Sequence, residues 1–488
     1  MPAQRLNNSL HLHSMIARLS PLLLSACAVF APQEPPDVSF EIQPIPREDR
    51  TDLRVTVSFV GDDAQSTRLA LPEDRYGTPD MFRNVVDIDV EGATLSSRSE
   101  DGPGVVLVHE PGSEIRFTYL ISLDPKSIEG LAFAPSLGPE HFHFFGSQWM
   151  LTFPDRSDDL TFRFGFKDVP EGWPVFSNFG TGAGPWELEA NQSQVPGFIA
   201  GGDYVNSAGD GVDVHIQGVF ENPETIARSV QEIVSGQRRF FDDFSQPFYV
   251  VSISARENIS AGNALENSFI CLTRPTSSQT SLENLIAHEA FHYWLPGKAK
   301  IVAETPTHAD EYRFDWFAEG FAEYCGRRTL LESGRVTREE YAGFFNADLR
   351  ELARNPMRAA TLTEVARAID EDAYTNRQER LNYVRGPLMA LAWEWELERE
   401  GGETSVLSMV RAFVREGEKN GGHVTEAAFF AMFAEVGVDA LSDYQSFIVD
   451  GETPVPPADA LGPGFELEPI TETTRGGEEI ASWRFVAK

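Results

Sequence analysis

The stretch S-L-E-N-L-I-A-H-E-A-F-H-Y-W, residues 281–294, constrains this chain most. On a helix, residues four apart share a face, so His288 and His292 can aim two imidazoles at one point. Glu289 follows the first histidine directly. Its carboxylate can then reach a water held at the same point. Ser281 reads as the cap of this helix, Leu282, Leu285 and Ile286 as its inner face, and Pro296-Gly297 as its end. A chain with this element must bury a helix and supply it with partners.

Short strands precede it. Val38–Gln43, Leu53–Val60, Val86–Val90, Val105–His109, Ile115–Leu123 and Leu160–Phe166 alternate or run apolar, with Gly, Pro and Asp between them. These predict an all-β region to about Phe220, a sandwich of two sheets. The aromatic run Phe142–Phe145 with Trp149 suits a β core or the lining of a cleft. Gly180–Gly184 and Ala200-Gly201-Gly202 read as loops. After the strand Val212–Phe220, Asn222-Pro223-Glu224 opens a helix to Phe241, and Phe248–Ile253 and Ser268–Leu272 read as strands. A second helix begins near Asp315. From Ser333-Gly334 the chain reads as helical to about Val449, with helices at Thr337–Asn346, Gly386–Glu398, Ser405–Arg415, Thr425–Glu435 and Leu441–Ile448. The Pro- and Gly-rich tail ends in a possible strand, Ser482–Val486. The expected class is multidomain α+β. Its parts are a leader and tether over 1–37, a β-sandwich over 38–205, an α/β unit over 206–335, a helical unit over 336–450 and a tail over 451–488.

The net charge of −35, from 75 acidic and 40 basic residues, opposes binding to nucleic acid or anionic membrane surfaces. Cys27, Cys271 and Cys325 have no spacing of a zinc knot or disulfide scaffold, so Cys271 and Cys325 read as buried free thiols. At the N-terminus, Arg18 precedes the short apolar run Leu19–Leu24, and Leu24-Ser25-Ala26-Cys27 resembles the bacterial lipobox. The expectation is export to the periplasm or cell envelope, with Cys27 lipidated at the outer membrane. Ordinary cleavage near Ala31, or a true start at Met15, is the alternative.

Two histidines four apart, the first followed directly by a glutamate, make the zinc-hydrolase pattern, with Glu289 as general base. A catalytic zinc wants a third protein ligand. Glu319 is the candidate: it sits in the apolar run W-F-A-E-G-F, where an unpaired carboxylate would be costly. Gly320 beside it permits close helix packing. Glu323 lies one turn further on the same face, where it can hydrogen-bond a ligand histidine.

Here the chain resembles the gluzincin peptidases, on H-E-A-F-H-Y-W together with W-F-A-E-G-F-A-E-Y. Both stretches are similar to those of the aminopeptidase N and glycyl aminopeptidase families. The long interval to Glu319, with positions 293 to 318 intervening, looks more like the glycyl aminopeptidases. Gly262–Asn267, G-N-A-L-E-N, resembles the upstream exopeptidase stretch as a hybrid of its two versions. Tyr383-Val384-Arg385-Gly386 resembles the Y-x-K-G stretch, with arginine in place of lysine. The PDZ-like module often found after the helices of glycyl aminopeptidases has no counterpart here.

The resemblance implies that the α/β unit over 206–335 is thermolysin-like. It also implies one zinc ion on His288, His292 and Glu319, with Glu289 as base and Tyr383 as donor to the oxyanion. Glu266 would anchor the free α-amine of a peptide substrate. Tyr374 is the reserve for Tyr383, which could instead be a core or capping tyrosine. The expected activity is a zinc aminopeptidase acting on peptides with a free N-terminus. An endopeptidase on the same site, or a surface lipoprotein that binds without catalysis, remains open.

Overall fold

A computed structural model of the chain describes residues 36–73, 78, 80–131, 133–156, 159–191, 197–245, 249–257, 259–265, 267–303, 313–372, 380–399, 401, 404–473 and 477–488. Cys27, Glu266 and Tyr374 lie outside these residues.

Alternating apolar residues build the first half. In Val38–Pro46, Val38, Phe40 and Ile42 are buried while the residues between them are not. This strand pairs antiparallel with Thr51–Val60 and parallel with Asp159–Phe166. Trp186–Asn191, Glu114–Ile121 and Val85–Glu91 complete a six-stranded sheet. A five-stranded sheet runs in the order Gly180–Thr181, Val175–Ser177, Phe198–Gly202, His141–Phe145, Ser136–Gly138. A three-stranded sheet joins Ser66–Ala70, Gly104–Val108 and Thr94–Arg98. One core, including Phe40, Val55, Leu107, Phe117, Phe142 and Phe164, draws on all three. The only α-helix described in this half is α1 (Gly146–Trp149).

Of the glycine runs expected as loops, Gly182–Gly184 is irregular, but Gly180–Thr181 and Ala200–Gly202 lie in strands, the latter within Phe198–Gly202. A side chain at Gly201 would strike Val175 and the carbonyl of Pro174, so glycine there serves close strand approach.

A second five-stranded sheet follows, in the order Val205–Gly209, Val212–Gln217, Tyr249–Ala255, Ser268–Thr273, Ala261–Leu265. Its middle three strands are parallel and Ala261–Leu265 is an antiparallel edge. One face packs on Phe145, Phe176 and Phe198 of the preceding sheet through Val250, Ile270 and Leu272. The other face takes helices α2 (Pro223–Phe241) and α3 (Gln279–Phe291).

The helices after α3 are α4 (Asp315–Glu332), α5 (Arg338–Arg354), α6 (Leu362–Asp372), α7 (Arg380–Arg399), α8 (Val406–Lys419), α9 (Glu426–Ala434) and α10 (Ala440–Asp443). Several differ from expectation: α5 runs to Arg354 instead of ending at Asn346. α6 was not foreseen. α7 begins six residues before Gly386, its expected start, and runs through Pro387. The expected helix Leu441–Ile448 is split into α10 and a π-helical turn, Tyr444–Val449. The tail forms a hairpin of Phe465–Thr473 with Glu479–Ala487 rather than one short strand. It is seated on α5, where Asn346 bonds both N–H and C=O of Phe485. Among the described residues no helix is long and apolar enough to cross a membrane.

Candidate active site

The motif helix starts three residues earlier than its sequence suggests. Ser278, not Ser281, is the N-cap, and its hydroxyl accepts from the Ser281 N–H at 3.2 Å. At the other end α3 stops at Phe291 and His292 is the C-cap. His292 keeps right-handed backbone angles, φ −62° and ψ −18°, so the four-residue spacing still places it over His288. The two Nε2 atoms are 3.0 Å apart.

Two glycines on α4 set the third group. A Cβ at Gly326 would come within 3.1 Å of the Ala287 backbone on α3. At Gly320 it would overlap Gly386 of α7. α4 therefore lies close against both neighbours. Glu319 Oε2 reaches to 3.4 Å from His288 Nε2 and 3.2 Å from His292 Nε2. Tyr383, three residues before Gly386, sets its ring 5.8 Å from that of His288.

His288, His292 and Glu319 each offer a ligand atom, all within 4.8 Å of one another. The surroundings ask for a cation. Glu319 Oε2 is buried, and among the described residues no hydrogen bond of good geometry satisfies it. Its burial opposes ionisation, yet the two imidazoles hold its carboxyl well below the usual range. Burial lowers the His292 imidazole, but Glu319 and then Glu289 outweigh this and bring it to about 9. A metal ion answers the same negative field. His292 Nδ1 sits 2.8 Å from the Leu295 carbonyl, which can only accept, so Nδ1 carries a proton, and a metal would take the place of the second proton on Nε2.

Glu289 lies beside this group, with Oε1 4.0 Å from His288 Nε2. Burial raises its pKa against the pull of both histidines, which suits a proton acceptor that must also give the proton back. Gly262 on the edge strand makes room for it, since any side chain there would overlap the Glu289 carboxylate. Tyr383 is also held up, by burial and then by Glu319 and Glu289, so its phenol keeps its proton.

Glu323 faces His288 Nδ1 at 3.9 Å, beyond hydrogen-bond length. It is fixed by Arg327 at 3.1 Å and Asn284 at 3.3 Å, and Arg327 is paired with Asp348 of α5 at 2.5 Å. None of Asn284, Arg327 or Asp348 stood out in the sequence. Arg385, at the lysine position of the Y-x-K-G stretch, turns away from this chemistry. It donates to the carbonyls of Arg358, Ala360 and Gly451. Cys271 and Cys325 are buried and free, as expected.

These groups open onto a cleft of about 750 Å³, floored by His288, Glu289, His292, Glu319 and Tyr383 and walled by Gly262–Leu265 and Pro296–Lys298. Two helices bearing a His-Glu-x-x-His set and a distant glutamate, under an edge strand, resemble the metal site of the gluzincin peptidases. Residues 281–387, running from α3 into α7, match the model of the M61 glycyl aminopeptidase family, which supports reading the site as that of a metallo-aminopeptidase. No curated protein sequence matches it. In fold it is similar to an aminopeptidase N family protein from Idiomarina loihiensis, with TM-score 0.72 and 15% identity over 91% of this chain and 81% of that one. Native yeast LTA4 hydrolase is more distant, with TM-score 0.50 and 15% identity over 86% of this chain and 68% of that one.

Proposed function

We propose that the protein is a zinc-dependent aminopeptidase that removes N-terminal residues from peptides. The observation that carries this reading is the convergence of His288, His292 and Glu319 on one point, with Glu289 4.0 Å from the first of them. Two neutral imidazoles and one carboxylate are the donor set of a catalytic zinc, with a position left for water. Bound there, zinc would supply a Lewis acid for the scissile carbonyl and an acidified water.

The chain's own residues do the rest. Glu289 accepts a proton from the attacking water and delivers it to the departing amine. Tyr383 donates its phenolic hydrogen to the carbonyl oxygen as charge gathers there. The edge strand Ala261–Leu265 borders the cleft and leads to Glu266, whose carboxylate would pair with the substrate's α-ammonium. The reading extends to a secreted or lipid-anchored protein through Cys27, with peptides as its partners.

A peptide set with free and N-acetylated termini tests the proposal on zinc-loaded protein. Cleavage confined to free termini, and lost in Glu266→Ala, supports it. Equal cleavage of both forms assigns the site to an endopeptidase.

A further inference from the structure

Tyr383 is held from a direction the catalytic reading does not use. We propose that Arg380 is a positioning residue for Tyr383, its guanidinium lying on the phenol ring and fixed from behind by Glu351. The proposal rests on the reading of Tyr383 as the oxyanion donor.

Arg380 precedes Tyr383 by three residues on α7, so the two side chains are neighbours on the helix surface. The guanidinium carbon is 4.7 Å from the ring centroid, within cation–π range. The same guanidinium donates from Nε and Nη2 to the Glu351 carboxylate of α5, at 3.2 and 3.5 Å. A planar, doubly anchored group holds a ring in one orientation better than a flexible ammonium does.

The ring needs such support. Its backbone carbonyl faces Pro387, which has no N–H to complete the helical bond at that step. Among the described residues the ring's aromatic neighbour is His288, and a ligand histidine cannot shift to accommodate it. Arg380 also lies within electrostatic reach of Glu323, which faces His288 Nδ1. One cation thus neighbours both the oxyanion donor and the carboxylate behind a metal ligand. A purely structural α5–α7 ion pair would have no need of the ring contact.

The test is a double-mutant cycle on zinc-loaded protein with an aminoacyl p-nitroanilide: Arg380→Gln, Arg380→Lys, Tyr383→Phe and Arg380→Gln/Tyr383→Phe. Arg380→Gln should lower kcat about 10- to 100-fold, the scale of a small misplacement, with KM within about twofold. Arg380→Lys should recover part of the loss. With Tyr383→Phe already in place, Arg380→Gln should cost nothing more. Equal losses in both backgrounds, or unchanged kcat in Arg380→Gln, overturn the proposal. Unchanged kcat in Tyr383→Phe instead overturns the parent reading of the tyrosine. Should Arg380→Gln not fold, Glu351→Gln replaces it in the same cycle, since it frees the guanidinium while keeping its charge.

Discussion

Gly386 of α7 is set against Gly320 of α4 so closely that a Cβ on Gly386 would lie 2.6 Å from the Gly320 Cα and would overlap the Trp316 carbonyl. Glu319 and Tyr383 stand beside these two glycines. The contact therefore fixes how far the proposed oxyanion donor stands from the metal-ligand carboxylate.

That crossing sets helix propensity against packing. Ala in place of a helical Gly is worth up to about 1 kcal/mol in propensity. At position 386 the added methyl meets backbone atoms that cannot rotate away, and such overpacking costs about 1–3 kcal/mol. Gly386→Ala should therefore lower the melting temperature and kcat together, while Gly343→Ala on α5, with open space around it, should stabilise. Calorimetry and steady-state kinetics on the two variants check this.

The buried pair Arg327–Asp348 carries a second expectation. Both side chains are almost fully buried, and burial raises the Asp348 carboxyl to about 6 against the pull of Arg327. Removing one partner strands the other charge, at about 3–5 kcal/mol. Glu323 would also lose its 3.1 Å anchor. Arg327→Met should lower both unfolding free energy and metal affinity, the latter by about 10- to 100-fold. Denaturant melts and chelator competition measure the two effects. Undiminished metal affinity would free Glu323 from its role behind His288.

Acid should weaken the fold well above the carboxylate range. His143 and His215 are buried where the two five-stranded sheets meet, and burial takes their pKa values from 6.5 to about 3 and about 4. Below pH 6.5 the unfolded chain binds protons that the folded one refuses. Stability therefore falls as pH drops from 6.5 toward 4, by up to about 1.4 kcal/mol per pH unit for each histidine. Urea midpoints at pH 7, 6 and 5 should show the slope. His143→Phe should reduce it, because Phe198 already stacks on that ring at 5.2 Å.

How much of this was legible in the sequence follows from the range of each interaction. His288, Glu289 and His292 are bound by local helical spacing, and Glu319 by an apolar run that leaves a carboxylate no other use, so all four could be read directly. A serine at 278 or at 281 fits equally well before the same apolar face, so spacing alone does not separate Ser281 from the observed cap, Ser278. α6 was missed although Thr361 and Glu364 form a reciprocal capping pair, a signal written in T-x-x-E. Arg327 with Asp348 and Arg380 with Glu351 are 21 and 29 residues apart and join different helices, and no local pattern marks such partners. The tail hairpin was obscured by Pro469 and by the glutamates along its outer face.

The most direct test of the account is Glu289→Gln, assayed for bound zinc and for turnover of a free-amino peptide. The account predicts one zinc per chain, as in the wild type, with kcat lowered about 100- to 10,000-fold, the contribution of a positioned general base. Wild-type turnover by a zinc-loaded Glu289→Gln protein would contradict it.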